Sequence, residues 1–205
     1  MKGFITFEGP DGSGKSTQIQ LLRDYLTASG QEILFTREPG GNPVSEKIRG
    51  LILDRENADI QPLTEALLYA ASRAQIVAQV IRPALEEGKI VISDRYVDSS
   101  IAYQGYGREL GDVVEQINEA AVDGIMPDLT ILLMVDPETG RGRVCGGGEM
   151  DRLEAECLDY HRKVYEGYLA LAEKYPDRII MLDGTRPVDD IHQEIIGKVR
   201  ERFGL

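Results

Sequence analysis

The stretch GFITFEGPDGSGKSTQ, residues 3–18, passes from an apolar run through a glycine-rich loop into a polar segment. Gly9, Gly14, Lys15 and Ser16 fill the pattern G-x-x-x-x-G-K-[ST]. The glycines let the backbone curl so that its N–H groups face inward. A helix starting near Lys15 turns its positive end toward the same point. Lys15 reaches the outer phosphates, and the Ser16 hydroxyl ligates a magnesium ion. Pro10, Asp11, Gly12 and Ser13 within the loop, and Thr17 just after it, complete the expected cradle. Strand, loop and helix follow in the order the chemistry requires, so the loop is expected to hold a nucleoside triphosphate.

Outward from this loop, apolar runs alternate with helical patterns. Ile19, Leu22 and Leu26 are spaced i, i+3, i+7 ahead of Gly30, which predicts an amphipathic helix with a stop. EILFT (32–36), KIVISD (89–94), LTILLMV (129–135) and RIIML (178–182) read as further strands after GFITFE (3–8). Residues 64–88 read as one long, largely apolar helix that Pro83 bends or restarts. The last helix carries Ile191, Ile195, Val199 and Phe203 at four-residue spacing. Strands apolar on both faces and alternating with helices predict a three-layer α/β fold of the P-loop NTPase type. Its five-stranded parallel sheet has helices on both faces. No linker or repeat divides the chain, which predicts one domain over 1–205. CGGGE (145–149) reads as a mobile loop.

The 205 residues suit a single domain with a sizeable core. With 42% hydrophobic and 28% charged residues, the composition is that of a soluble globular protein. Apolar runs are short and broken by charge, so no membrane span and no membrane partner are expected. The N-terminus, interrupted by Glu8, is not expected to act as a signal peptide. Cys145 and Cys157 sit twelve apart without a CxxC pattern, as free thiols of a cytoplasmic protein would. A net charge of −12 repels a nucleic-acid backbone, so no nucleic-acid partner is expected. It does not exclude a small phosphorylated ligand in one basic pocket.

Candidate residues for the acceptor side lie further along. Asp94 ends a strand, the usual place for a carboxylate that meets the magnesium ion, often through water. Arg95 follows, turned by backbone alternation toward a second anion; the plainer alternative is a surface salt bridge. Asp11 is a carboxylate among phosphate-binding amides. It must bind the metal or accept from the ligand, for which a sugar hydroxyl suits, or else cap the turn. Tyr69 and Arg73 share a helix face and could stack on a base and hydrogen-bond its edge. They could equally be a core tyrosine with a surface arginine. Ser99, Ser100, Tyr103 and Gln104 follow Asp94 at helix-like spacing. His161 and His192 read as solvated residues on charged helical segments.

EGPDGSGKSTQ, TREPGG (36–41), SRAQ (72–75), ISDRYVDSSIAYQG (92–105) and MDRLE (150–154) together resemble the thymidylate kinase family over nearly the whole chain. The P-loop is generic; TREPGG and DRYVDSSIAYQG together are specific. The resemblance implies a homodimeric kinase that moves the γ-phosphoryl group of ATP to dTMP, with Mg²⁺. It places Asp11 against the sugar and phosphate of dTMP, and Arg37 and Arg95 on the acceptor phosphate. Tyr69 stands where a phenylalanine usually stacks on thymine. Arg73 reaches a thymine carbonyl, Ser100 and Gln104 lie near the base, and Tyr103 flanks the deoxyribose. A lid is implied over about 141–152. It keeps Arg141, Arg143 and Arg152, with Cys145 and Gly147 where arginines are common, and Arg143 is the expected catalytic arginine beside Lys15 and Arg95. Two other readings stay open: a kinase of another nucleotide or a nucleoside, and a P-loop switch that binds without transferring. A GTPase-type switch would usually carry an N-K-x-D segment, which this sequence lacks.

Overall fold

The computed structural model describes residues 3–145 and 150–204, with the Cys145 side chain excepted. Of the glycine loop expected at 145–149, residue 145 instead ends a helix, and the rest, Gly147 in it, lies outside the described residues, as does the Cys145 side chain. Strand β1 (Gly3–Glu8) leads through the P-loop to helix α1 (Lys15–Ala28). There follow β2 (Ile33–Arg37), α2 (Pro43–Leu53), α3 (Pro62–Ile76), α4 (Arg82–Glu86) and β3 (Ile90–Asp94). Then come α5 (Val97–Ser100), α6 (Val113–Val122), β4 (Leu129–Met134), α7 (Pro137–Cys145), α8 (Leu158–Lys174), β5 (Ile179–Asp183) and α9 (Val188–Phe203). The sheet runs β2-β3-β1-β4-β5 and every pair is parallel.

The three-layer expectation holds because alternate strand residues bury into two separate cores. Ile5, Phe7, Ile92, Ile131 and Leu133 meet Ile19, Leu22 and Leu26 of α1 and Ile191, Ile195 and Val199 of α9. Phe4, Val91, Leu132 and Met134 face the side where α3, α6 and α8 bring Ala66, Ile76, Val114, Val164 and Leu171. Full burial of each large aliphatic side chain contributes about 1.5–3 kcal/mol. The edge strands depart from the pattern of apolar on both faces. Phe35 of β2 and Met181 of β5 are exposed, because only one neighbouring strand and partial helix cover reach them.

The long helix expected over 64–88 is interrupted, as Pro83 suggested. Its middle, Val77–Ile81, is a π-helical stretch, and Pro83 sits in the first turn of α4 where it has no intrahelical N–H to supply. A second π-helical stretch, Ile101–Gly107, continues α5 and carries Tyr103 and Gln104. Helix α2 begins at Asn42, whose side chain accepts from the Val44 and Ser45 amides at 3.1 and 3.0 Å. No helix among the described residues is long and apolar enough to cross a membrane.

Candidate active site

Strands β1 and β3 lie side by side with Phe7 opposite Asp94, so the loops after them open at one point of the sheet edge. The P-loop is tightly packed. A Cβ on Gly9, at φ +132°, would come within 2.0 Å of the Leu133 carbonyl. One on Gly12, at φ +75°, would come within 2.4 Å of the Gly140 carbonyl in α7. Both positions thus need glycine for conformation and for space. Gly14 caps α1 in the left-handed region. Lys15 is buried, and its Nζ donates to the Gly9 and Pro10 carbonyls at 3.0 and 2.8 Å. Burial, and after it Arg95, pulls its pKa down to about 8 against the pull of Asp11 and Asp94. Ser13 is buried, and Ser16 and Thr17 are exposed in the first turn of α1.

Asp94 ends β3 with its Oδ1 buried and without a hydrogen-bond partner among the described residues. Arg95 then adopts φ +69°, rare for a side chain of its size. Its amide bonds the Phe7 carbonyl at 2.9 Å. The turn sends its guanidinium back over the P-loop. Nη1 donates to Gly9 O, Ser99 Oγ and Tyr168 Oη, each at 3.1 Å, and Nη2 pairs with Asp11. The Tyr103 hydroxyl donates to the other Asp11 oxygen at 2.8 Å. Asp11 therefore reaches across the site instead of capping its own turn. Burial pushes its carboxyl up, but Arg95, Lys15 and Tyr103 outweigh that and hold it below the usual range. Behind Arg95, fully buried Glu8 accepts from the Tyr96 amide at 2.7 Å and from Ser99.

A cleft of about 640 Å³, part of it open to solvent, lies here. Asp11, Tyr69, Arg73, Arg95, Ser100, Tyr103 and Gln104 all line it. Arg73 is not the surface arginine of the plainer alternative. It is 1% exposed, with Nε on Glu38 at 2.7 Å, Nη1 on Ser100 at 2.9 Å and on Asn118, and Nη2 on the Tyr96 carbonyl at 3.0 Å. Arg37 stands apart. Its side chain is half exposed, pairs with Glu46 at 3.1 Å and does not line the cleft. Glu38, Arg49, Asp151 and Glu154 line it and were not singled out in the sequence. For Arg49 no local signal existed, since it is one charged residue on helix α2 and only the fold turns it to the cleft.

The segment after β4 is more ordered in its roles than its sequence suggested. Arg143 of α7 donates from Nη1 to the Gly12 and Gly184 carbonyls, each at 3.1 Å, so it sits on the P-loop. Arg141 lines a second, smaller cleft with Pro10, Asp11, Tyr103 and His161. Arg152 is buried, bonding the Ile52 carbonyl and Glu65, each at 2.7 Å; it is a structural tie. His161 and His192 are not simply solvated. His161 Nε2 and His192 Nδ1 are both buried without a hydrogen-bond partner among the described residues. Cys157 is a free, exposed thiol.

A family model described as thymidylate kinase matches residues 7–195. The chain belongs to the thymidylate kinase family. It is 50% identical to the thymidylate kinase of Clostridium novyi over 197 residues, 95% of this chain and 96% of that one. It is 51% identical to that of Thermoanaerobacter sp. over 203 residues, 98% of this chain and 99% of that one. The crystal structure of thymidylate kinase from Ehrlichia chaffeensis superposes with a TM-score of 0.80 at 33% identity, covering 97% and 98% of the two chains. The resemblance drawn from the motifs and the expected fold are both borne out. Membership in the thymidylate kinase family makes the chain an ATP-dependent phosphotransferase and sets aside the non-enzymatic switch.

Proposed function

We propose that the P-loop holds ATP and the adjoining cleft holds dTMP, so that the γ-phosphoryl group passes in line to the dTMP phosphate and yields dTDP. The observation that carries this reading is the Asp11–Arg95–Tyr103 cluster, which joins the P-loop directly to the cleft wall. The acceptor oxygen is already anionic, so the reaction needs positioning and charge neutralisation more than a strong base. Lys15, Arg95 and Arg143 share the developing charge. Arg95 holds the acceptor phosphate with Arg49 beside it; Arg37, turned to Glu46, supports the loop that carries Glu38. Asp11 and Tyr103 face the deoxyribose, and Tyr69 stacks on the base. Ser100 and Gln104 read its edge.

Mg²⁺ fits the residues present. Asp94 Oδ1 is a buried acceptor without a partner among the described residues, and Ser16 offers an exposed hydroxyl at the loop end. No group of three or more His, Cys, Asp or Glu that could hold a metal occurs among the described residues. Such a site suits an ion that keeps waters and phosphate oxygens as ligands. When bound, Mg²⁺ would neutralise charge on the β- and γ-phosphates. We take the working form to be a cytoplasmic homodimer.

An acceptor panel tests the reading. dTMP should support ADP formation at least about a hundredfold better than thymidine, because the nucleoside leaves the arginines of the acceptor site unpaired. Equal or better turnover of thymidine would assign the cleft to a nucleoside instead.

A further inference from the structure

Glu65 sits within α3 at 0% exposure. A carboxylate so placed needs charged partners. Arg152 Nη2 and Arg108 Nη2 reach Oε2 at 2.7 and 3.1 Å. Oε1 accepts from Gln104 Nε2 at 2.9 Å. None of these pairings belongs to the phosphate chemistry, yet one of them touches the cleft through Gln104.

The chemistry of that pairing is one-sided. An ionised carboxylate only accepts hydrogen bonds, so the Gln104 amide must turn its NH₂ to Glu65 and its carbonyl the other way. Gln104 Oε1 is buried and has no hydrogen-bond partner among the described residues. A buried acceptor left unpaired at a cleft wall marks where a ligand donor belongs. Arg73, another polar group on this wall, has its Nε, Nη1 and Nη2 all engaged by protein acceptors.

We propose that Glu65 is a positioning residue for base selectivity: it locks the Gln104 amide so that an acceptor, not a donor, meets the base edge. The inference rests on the reading that a pyrimidine deoxynucleoside monophosphate occupies the cleft. Thymine carries an N3–H that pairs with Gln104 Oε1. Cytosine has a lone pair at N3, which would face the carbonyl oxygen across an unpaired, desolvated contact. A flipped amide would reverse the preference. The charge of Glu65, and not its shape alone, prevents the flip. A glutamine at 65 can present either its own oxygen or its own NH₂ to Gln104.

The test compares kcat/KM for dTMP and for dCMP in the parent, Glu65→Gln and Gln104→Leu, with melting temperatures measured alongside. Glu65→Gln should lower the dTMP/dCMP ratio at least about tenfold, through KM rather than through kcat, since the phosphates and their arginines are untouched. An unchanged ratio in Glu65→Gln with a collapsed ratio in Gln104→Leu overturns the role of Glu65 and leaves the base reading standing. An unchanged ratio in both overturns the base reading at Gln104 and this inference with it. Should Glu65→Gln fold poorly, the parent enzyme decides the matter by ¹⁵N NMR, the Gln104 NH₂ being assigned by its loss in Gln104→Leu. Slow solvent exchange of that NH₂ already in the free enzyme, unchanged by dTMP, supports the lock. Fast exchange in the free enzyme that slows only on adding dTMP turns the NH₂ toward the base and overturns it.

Discussion

Arg95→Ala is expected to lower kcat/KM for dTMP at least about 10³-fold, the scale of a phosphate-facing arginine in phosphoryl transfer. Two effects add. The cation that faces the acceptor phosphate is removed. Asp11, which Arg95 neutralises across the site, becomes an unpaired carboxylate at the place where a phosphate must enter. The second effect predicts that Arg95→Lys rescues only partly. One ammonium cannot satisfy Gly9 O, Ser99, Tyr168, Tyr103 and Asp11 together from the left-handed backbone at φ +69°. Arg95→Ala with Asp11→Asn should be less impaired than Arg95→Ala alone, because the repulsive charge is gone. Steady-state kinetics below the melting temperature of each variant check this. A loss under tenfold for Arg95→Ala would place the acceptor phosphate elsewhere.

Arg143→Ala is expected to lower kcat at least about a hundredfold, roughly 2.7 kcal/mol in the barrier, with ATP affinity near normal. The P-loop offers no cation between Gly9 and Gly14, because Pro10, Asp11, Gly12 and Ser13 fill those positions. Charge on the group in transfer must be met from elsewhere. Helix α7 packs so closely on the loop that Gly12 and Gly140 leave no room for a Cβ on either. It thereby carries Arg143 to the Gly12 carbonyl at 3.1 Å. A group engaged mainly in the transition state lowers kcat without weakening the ground state. Pre-steady-state ATP binding and kcat, measured separately, check the split. A kcat within threefold of the parent would pass the role to Arg141, since Arg152 is committed to Glu65 and the Ile52 carbonyl.

Local features of the sequence carried the fold. The runs of β1, β3 and β4 stood out because a doubly covered parallel strand has no polar face to disguise it, and the edge strands β2 and β5 were legible from their apolar residues although partly exposed. The P-loop was legible because its glycines answer purely local demands of backbone conformation. Helix α2 was passed over although Asn42–Pro43 is a readable start, an N-cap followed by a residue that needs no N–H there. Val44, Ile48, Leu51 and Ile52 also fall at i, i+4, i+7 and i+8, so the apolar spacing was readable as well. The site was legible where a motif placed a residue on the loop or just after a strand, as for Asp11, Lys15, Asp94 and Arg95.

What sequence reading missed depends on pairings across the fold. Arg73 and Glu38 are 35 positions apart, and Arg152 and Glu65 are 87 apart. Nothing local distinguishes a buried, paired arginine from a solvated one, so Arg152 read as a lid charge and Glu65 did not stand out at all. Arg37 and Arg49 show the same limit from the other side. Both are arginines near TREPGG, and only tertiary packing turns one to Glu46 and the other to the cleft.

The central claim is direct transfer from ATP at the P-loop to dTMP in the adjoining cleft. Quantifying both nucleotide products in one time course, with and without dTMP, tests it most directly. The account predicts one dTDP for each ADP, and ADP formation near background when dTMP is left out. ADP formed at the same rate without dTMP, or with no dTDP to match it, would contradict it.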